Sequence, residues 1–111
     1  MSNRVLILTD SLGRGNDELG RVLMKSFLYS LARNEDRPRA VMLMNEGVRL
    51  ACTGSASLDD LTLLAEKGVP VKACGTCLDY LGLKDELAVG EVGAMPDSVA
   101  ALVADDVLTI A

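Results

Sequence analysis

Val69-Pro70-Val71-Lys72-Ala73-Cys74-Gly75-Thr76-Cys77-Leu78 is the stretch on which the fold turns. Val69 to Ala73 is an apolar run of strand length, with Pro70 confined to its first residues, and a helix is predicted to begin near Leu78. A strand that runs straight into a helix is the repeating unit of an α/β sheet. A Cys-x-x-Cys pair at that junction also has a chemical reading. The free N–H groups and positive dipole end of a helix favour thiolate over thiol, and a second cysteine can capture a bond formed by the first.

Working outward in both directions, the same alternation recurs. Val5 to Thr9 reads as a strand buried on both faces and is broken by the turn residues Asp10 to Asn16. Asn16 is the expected N-cap of a long helix ending near Asn34, with Leu19, Val22, Leu23, Phe27, Leu28 and Leu31 as its apolar side. Ala40 to Met44 is a second strand, closed by Asn45-Glu46-Gly47, and Val48 to Cys52 is compatible with one helical turn. Ser57 with Asp60 resembles a capping box opening a helix that stops at Gly68. Beyond the cysteine pair come a short helix to about Leu81, an acidic loop at Lys84-Asp85-Glu86 and a fourth apolar segment around Leu87 to Val92. A helix with Pro96 at its first position precedes a last strand, Val107 to Ile110. Five short strands separated by helices predict one domain, residues 1–111, with a parallel sheet, right-handed crossovers and helices on both faces. The loops after strands one, two and three then open on one edge, where such sheets carry their active crevice.

Composition bounds the function. Half of the 111 residues are hydrophobic but only 3% are aromatic. That suits an aliphatic sheet between helices, and the mean hydropathy of +0.28 suggests that part of the apolar surface is subunit interface. The net charge of −5, with 11 scattered Lys and Arg, argues against nucleic acid or an anionic membrane as partner. No apolar run approaches a membrane span and Met1 to Arg4 shows no signal-peptide pattern, so a cytoplasmic location is expected. There three cysteines stay reduced, as reactive or ligand thiols more than as a disulfide framework.

The absence of histidine excludes a Ser-His-Asp triad and weakens any metal site, which would need Cys52 and a carboxylate such as Asp79 or Asp85 beside the pair. No metal and no cofactor is expected. Cys74 and Cys77 are the candidate nucleophiles, against the alternative of two small buried hydrophobes. Cys52 is a possible third thiol, although an aliphatic-flanked cysteine is more simply structural. Ser11, Gly13, Arg14 and Gly15 form a candidate anion-binding loop in which Arg14 could hold a small anion or steady a thiolate. The glycine spacing matches neither the phosphate loop nor the dinucleotide fingerprint, and Asp17 and Glu18 would repel phosphate.

With Leu6 to Gly15, Asp17-Glu18-Leu19-Gly20, Asn45-Glu46-Gly47-Val48, Leu50-Ala51-Cys52 and Cys74-Gly75-Thr76-Cys77-Leu78-Asp79-Tyr80-Leu81-Gly82-Leu83, the sequence resembles the DsrE-like domain over nearly its whole length. More narrowly it is similar to the carboxyl-terminal half of YedF-type proteins, which are linked with selenium metabolism. The resemblance implies a three-layer α/β/α fold with a five-stranded parallel sheet and a homo-oligomer, trimer or hexamer. It also implies a sulfurtransferase-like role as a persulfide carrier between donor and acceptor proteins. The sulfur-bearing position at the start of the helix after strand three corresponds to Cys74, and Cys77 would release the sulfur by closing a disulfide. YedF-type proteins begin with a smaller, TusA-like domain carrying its own Cys-Pro motif, which this sequence lacks; the expectation is either a standalone form or a partner that supplies that half. Persulfide and perselenide need the same nucleophile, so the residues do not separate sulfur from selenium.

Three readings of different classes follow: sulfur relay through Cys74, a thiol-disulfide oxidoreductase cycling Cys74 and Cys77, and a non-catalytic assembly subunit with inert cysteines. Neither the aromatic residue nor the cis-proline usual beside a thioredoxin-type pair is evident around Lys72-Ala73 or at Pro96.

Overall fold

Short strands of three or four residues, aliphatic at most positions, build the sheet. In the computed structural model, which describes residues 3–111, the strands are β1 (Arg4–Ile7), β2 (Ala40–Leu43), β3 (Val71–Cys74), β4 (Glu91–Gly93) and β5 (Val107–Ile110). The helices are α1 (Asp17–Arg33), α2 (Leu58–Glu66), α3 (Gly75–Tyr80) and α4 (Met95–Ala104), with 3-10 segments at Asn45–Ala51 and Lys84–Glu86. All pairings are parallel in the order β4-β3-β2-β1-β5, with Val5 opposite Val41, Val41 opposite Val71 and Cys74 opposite Gly93. This is the three-layer α/β/α fold with a five-stranded parallel sheet that the alternation predicted.

Strand order fixes which face each helix takes. From β1 to β4 the chain steps always to the same side, so right-handed crossovers put α1, α2 and α3 on one face. β5 lies beyond β1, and α4 must return across the opposite face. Burial agrees: Val5, Ile7, Val41, Leu43, Val71 and Ala73, alternate residues of three strands, share one core with Met24, Leu28, Leu61, Leu64 and Leu78. Burying each such aliphatic side chain contributes about 1.5–3 kcal/mol, against at most about 1 kcal/mol for an exposed ion pair, so this layer dominates stability. The other face is thinly covered. Arg4, Ala40, Met42 and Lys72 look across a groove of about 370 Å³ toward Asp97, Ser98 and Ala101 of α4.

Several expected details are corrected. The buried stripe of α1 is Gly20, Met24, Leu28 and Ala32, whereas Leu19, Val22 and Leu23 are 55%, 61% and 43% exposed. The cause is Gly20: a Cβ there would collide with the Ser11 hydroxyl and lie 3.0 Å from the Leu12 carbonyl, so only glycine seats the helix this closely. The capping box at Ser57 is not formed. Asp60 turns instead toward α1, where Lys25 Nζ at 2.6 Å and Arg33 at 3.0 Å hold its carboxylate at 1% exposure. The fourth strand is confined to Glu91–Gly93, because Leu87 bridges to Cys52 and the N–H groups of Ala88 and Val89 donate to the Ala51 carbonyl. Pro96 falls one position inside α4, which begins at Met95.

No helix among the described residues is long and apolar enough to cross a membrane.

Candidate functional site

The crossovers part company between β3 and β4. The chain leaving β3 enters α3 on one face, and the chain leaving the neighbouring β4 enters α4 on the other, which makes this the topological switch point at the carboxyl edge of the sheet. Cys74, the last residue of β3, stands at that divergence and pairs with Gly93.

Cys74 is also the N-cap of α3, with extended backbone at φ −59° and ψ 122°. The helix starts at once with Gly75, three residues before the expected start near Leu78, so Cys77 lies inside it. Gly75 and Thr76 are weak helix formers, but contact outweighs propensity here: a Cβ at Gly75 would sit 3.0 Å from Val92 Cγ1 on β4. Three residues apart on one helical turn, the two cysteines face the same side and are close neighbours. Both are free thiols. Cys74 is buried at 7% exposure, and Cys77 is half-buried.

A third group completes the site, one that sequence reasoning missed. The backbone N–H of Asn45 donates to Cys77 Sγ at 3.1 Å. Asn45 is the only described non-glycine residue with positive φ, +53°, and this left-handed turn directly after β2 directs its N–H at the sulfur. Asparagine tolerates that region better than most residues, which is the one signal the sequence offered. Gly47, two residues on, passes so close to β1 that a Cβ would collide with the Ile7 carbonyl, and this clamps the turn in place.

Burial pushes the Cys77 thiol above its ordinary pKa, and the hydrogen bond and charge of Cys74 push it further, while the Asn45 N–H pulls the other way. Cys77 therefore holds its proton at neutral pH and can present S–H to a sulfur on Cys74.

The remaining candidates are placed elsewhere. Cys52 is 3% exposed and donates to the Val48 carbonyl at 3.2 Å; burial raises its pKa, with Arg49 partly offsetting. It shares the core cluster with Cys74 but is committed to its own segment. The hydroxyl of Ser11 donates to the Asp17 carbonyl. The Gly13 N–H donates to the Ala111 carbonyl, so the loop of Gly13, Arg14 and Gly15 is fastened beside β5. β5 and β3 are separated by β2 and β1, three strand spacings or about 14 Å, so Arg14 belongs to a different part of the edge from the cysteines. Among the described residues no three His, Cys, Asp or Glu side chains are grouped to hold a metal ion.

The sequence matches no protein-family model and no curated protein. Solved structures share its fold, two proteins among them. The ychN protein from E. coli superposes with a TM-score of 0.71 at 24% identity, covering 98% of this chain and 99% of that one. Protein of unknown function MTH1491 from Methanobacterium thermoautotrophicum gives a TM-score of 0.60 at 22% identity, covering 97% and 99%. The chain thus shares the fold of these two proteins over nearly its whole length.

Proposed function

We propose that this protein relays sulfur as a persulfide on Cys74, with Cys77 as the resolving thiol. The observation that carries the reading is the pair of free, neighbouring thiols at the point where the crossovers diverge, the position at which such sheets carry their chemistry. The DsrE-like fold is compatible with it. In the loading step the Cys74 thiolate attacks the outer sulfur of a donor persulfide, R–S–SH. A new S–S bond forms on Cys74, and the donor leaves as R–S⁻. Transfer is the reverse displacement: an acceptor thiolate takes the outer sulfur and Cys74 leaves as thiolate. In the absence of an acceptor, Cys77 passes its proton to the outer sulfur and attacks the inner sulfur of the Cys74 persulfide, which forms the Cys74–Cys77 disulfide and releases hydrogen sulfide; an external dithiol then restores the pair.

Donor and acceptor are proteins bearing such thiols, a TusA-like domain among them, and selenium can follow the same path. The exposed Val92, Met95 and Tyr80 near the pair support a protein partner, and the exposed Leu19 and Val22 of α1 support a homo-oligomer. The free thiols suit a reducing, cytoplasmic setting. A thiol-disulfide oxidoreductase is the second reading, favoured by the proximity of the two sulfurs.

The test is reaction of the reduced protein with a persulfide donor, read by intact-mass and peptide mass spectrometry. A gain of one sulfur, about 32 Da, retained on Cys74 in Cys77→Ala is expected. An internal disulfide as the only product in wild type, with no sulfur held by any single-cysteine variant, sinks relay and leaves the oxidoreductase.

A further inference from the structure

A second cavity, of about 410 Å³, lies away from the thiol pair between α1 and the segment that joins β2 to α2. Its two walls differ in chemistry. On α1, Arg21 and Lys25 stand one helical turn apart on the same side, and Arg49 faces them from the 3-10 segment. The opposite wall is the continuous segment Thr53 to Ser57, which brings two serines and a threonine to the cavity around the left-handed Gly54 (φ +91°). Met24 and Leu50 give it an apolar floor, and Asp10 closes one side.

Two features of these groups point to a ligand. Ser57 is 3% exposed and lines the cavity, yet its hydroxyl caps no N–H of α2, the helix it opens, so a buried polar group stands there without its usual local role. Arg21 makes no ion pair among the described residues, whereas Lys25 is held by Asp60 and Arg49 by Glu46. The Thr53 hydroxyl already donates to the Glu86 carbonyl at 3.1 Å, so a surplus guanidinium beside two further cations and the Ser55 and Ser57 hydroxyls makes up the donor set that recognises an oxyanion. The volume is at the small end of metabolite sites and exceeds what a bare ion needs. Asp10 tolerates no second anionic group but accepts a hydrogen bond from a hydroxyl.

We propose that this cavity binds a small hydroxyl-bearing phosphomonoester, with its phosphate between Arg21, Arg49 and the Ser55 and Ser57 hydroxyls and its hydroxyl toward Asp10. The site is independent of the sulfur chemistry and stands whether or not the relay does.

Glycerol 3-phosphate is the probe, titrated into the full chain and followed by amide chemical shifts and calorimetry, with inorganic phosphate and glycerol as the other arms. Saturable binding is expected, with shifts concentrated in residues 49–57 and an affinity above that of both controls. Arg21→Gln, at an exposed position without an ion pair, should fold normally and weaken binding about tenfold or more. Ser57→Ala should weaken it too, and Cys74→Ala should leave it unchanged. Shifts scattered over the surface, an affinity unaffected by Arg21→Gln, or inorganic phosphate binding as tightly as the ester would each overturn the proposal.

Discussion

At the scale of single residues, the site is a contest over one proton. Cys77 sits between a neighbour that favours its thiol form, Cys74, and a backbone donor that favours its thiolate, the Asn45 N–H at 3.1 Å. Replacing Cys74 by alanine removes the hydrogen bond and the repulsion together, so the alkylation midpoint of Cys77 should fall relative to the protein with both thiols. The check is the rate of iodoacetamide modification against pH, in a Cys52→Ala background; a midpoint that does not move would show that the sulfurs do not interact. The sign for stability follows. Because the folded protein holds the Cys77 proton more tightly than the unfolded chain, that contribution is complete below the unfolded pKa and is lost as pH rises through the folded one. The Cys-x-x-Cys itself was legible from spacing. Asn45 was not, since a backbone N–H reaching a sulfur 32 residues away leaves no periodicity in the sequence.

At the scale of elements, α1 and α2 are joined through one carboxylate. Asp60 is buried, which by itself raises its pKa, but hydrogen bonds from Lys25 and Arg33 more than offset this and hold it below the usual range. Asp60→Ala should therefore destabilise the protein by about 2–3 kcal/mol; the two cations are roughly 40% exposed and recover hydration, which keeps the cost below that of a wholly buried pair. Urea unfolding measures it. In wild type the stabilisation is present above the unfolded carboxylate pKa, about 3.9, and is lost as pH falls through the lower folded value; Asp60→Ala should flatten that part of the profile. A change under about 0.5 kcal/mol would mean the triad is a surface feature only. The same carboxylate explains where local reading failed. Ser57 and Asp60 have capping-box spacing, but a tertiary partner outcompeted the local one. The boundaries of α1 were legible because Asn16 does cap it, accepting from the Leu19 N–H at 2.9 Å, and those of β5 because Asp105-Asp106 isolates a clean apolar run. The buried side of α1 was not, because Gly20 rather than any apolar residue sets the rotation of the helix.

At the scale of the molecule, the two faces of the sheet are unequal. Three crossovers and nearly all of the fully buried side chains lie on one face; the return from β4 to β5 lays a single ten-residue helix over three strands, and only Ser98 of that helix is buried. Amide hydrogen exchange should accordingly divide the chain, with β1, β2, β3 and α1 protected to near the global unfolding free energy and α4 with β5 exchanging through smaller openings. Uniform protection throughout would contradict this. The division also has a consequence for synthesis on the ribosome. β1 to β4 with their helices complete one packed face before α4 and β5 have left the exit tunnel, so the nascent chain can consolidate most of its core early. During that interval the free edge of β1 stays unpaired, open to the wrong partner until Val107–Ile110 closes it.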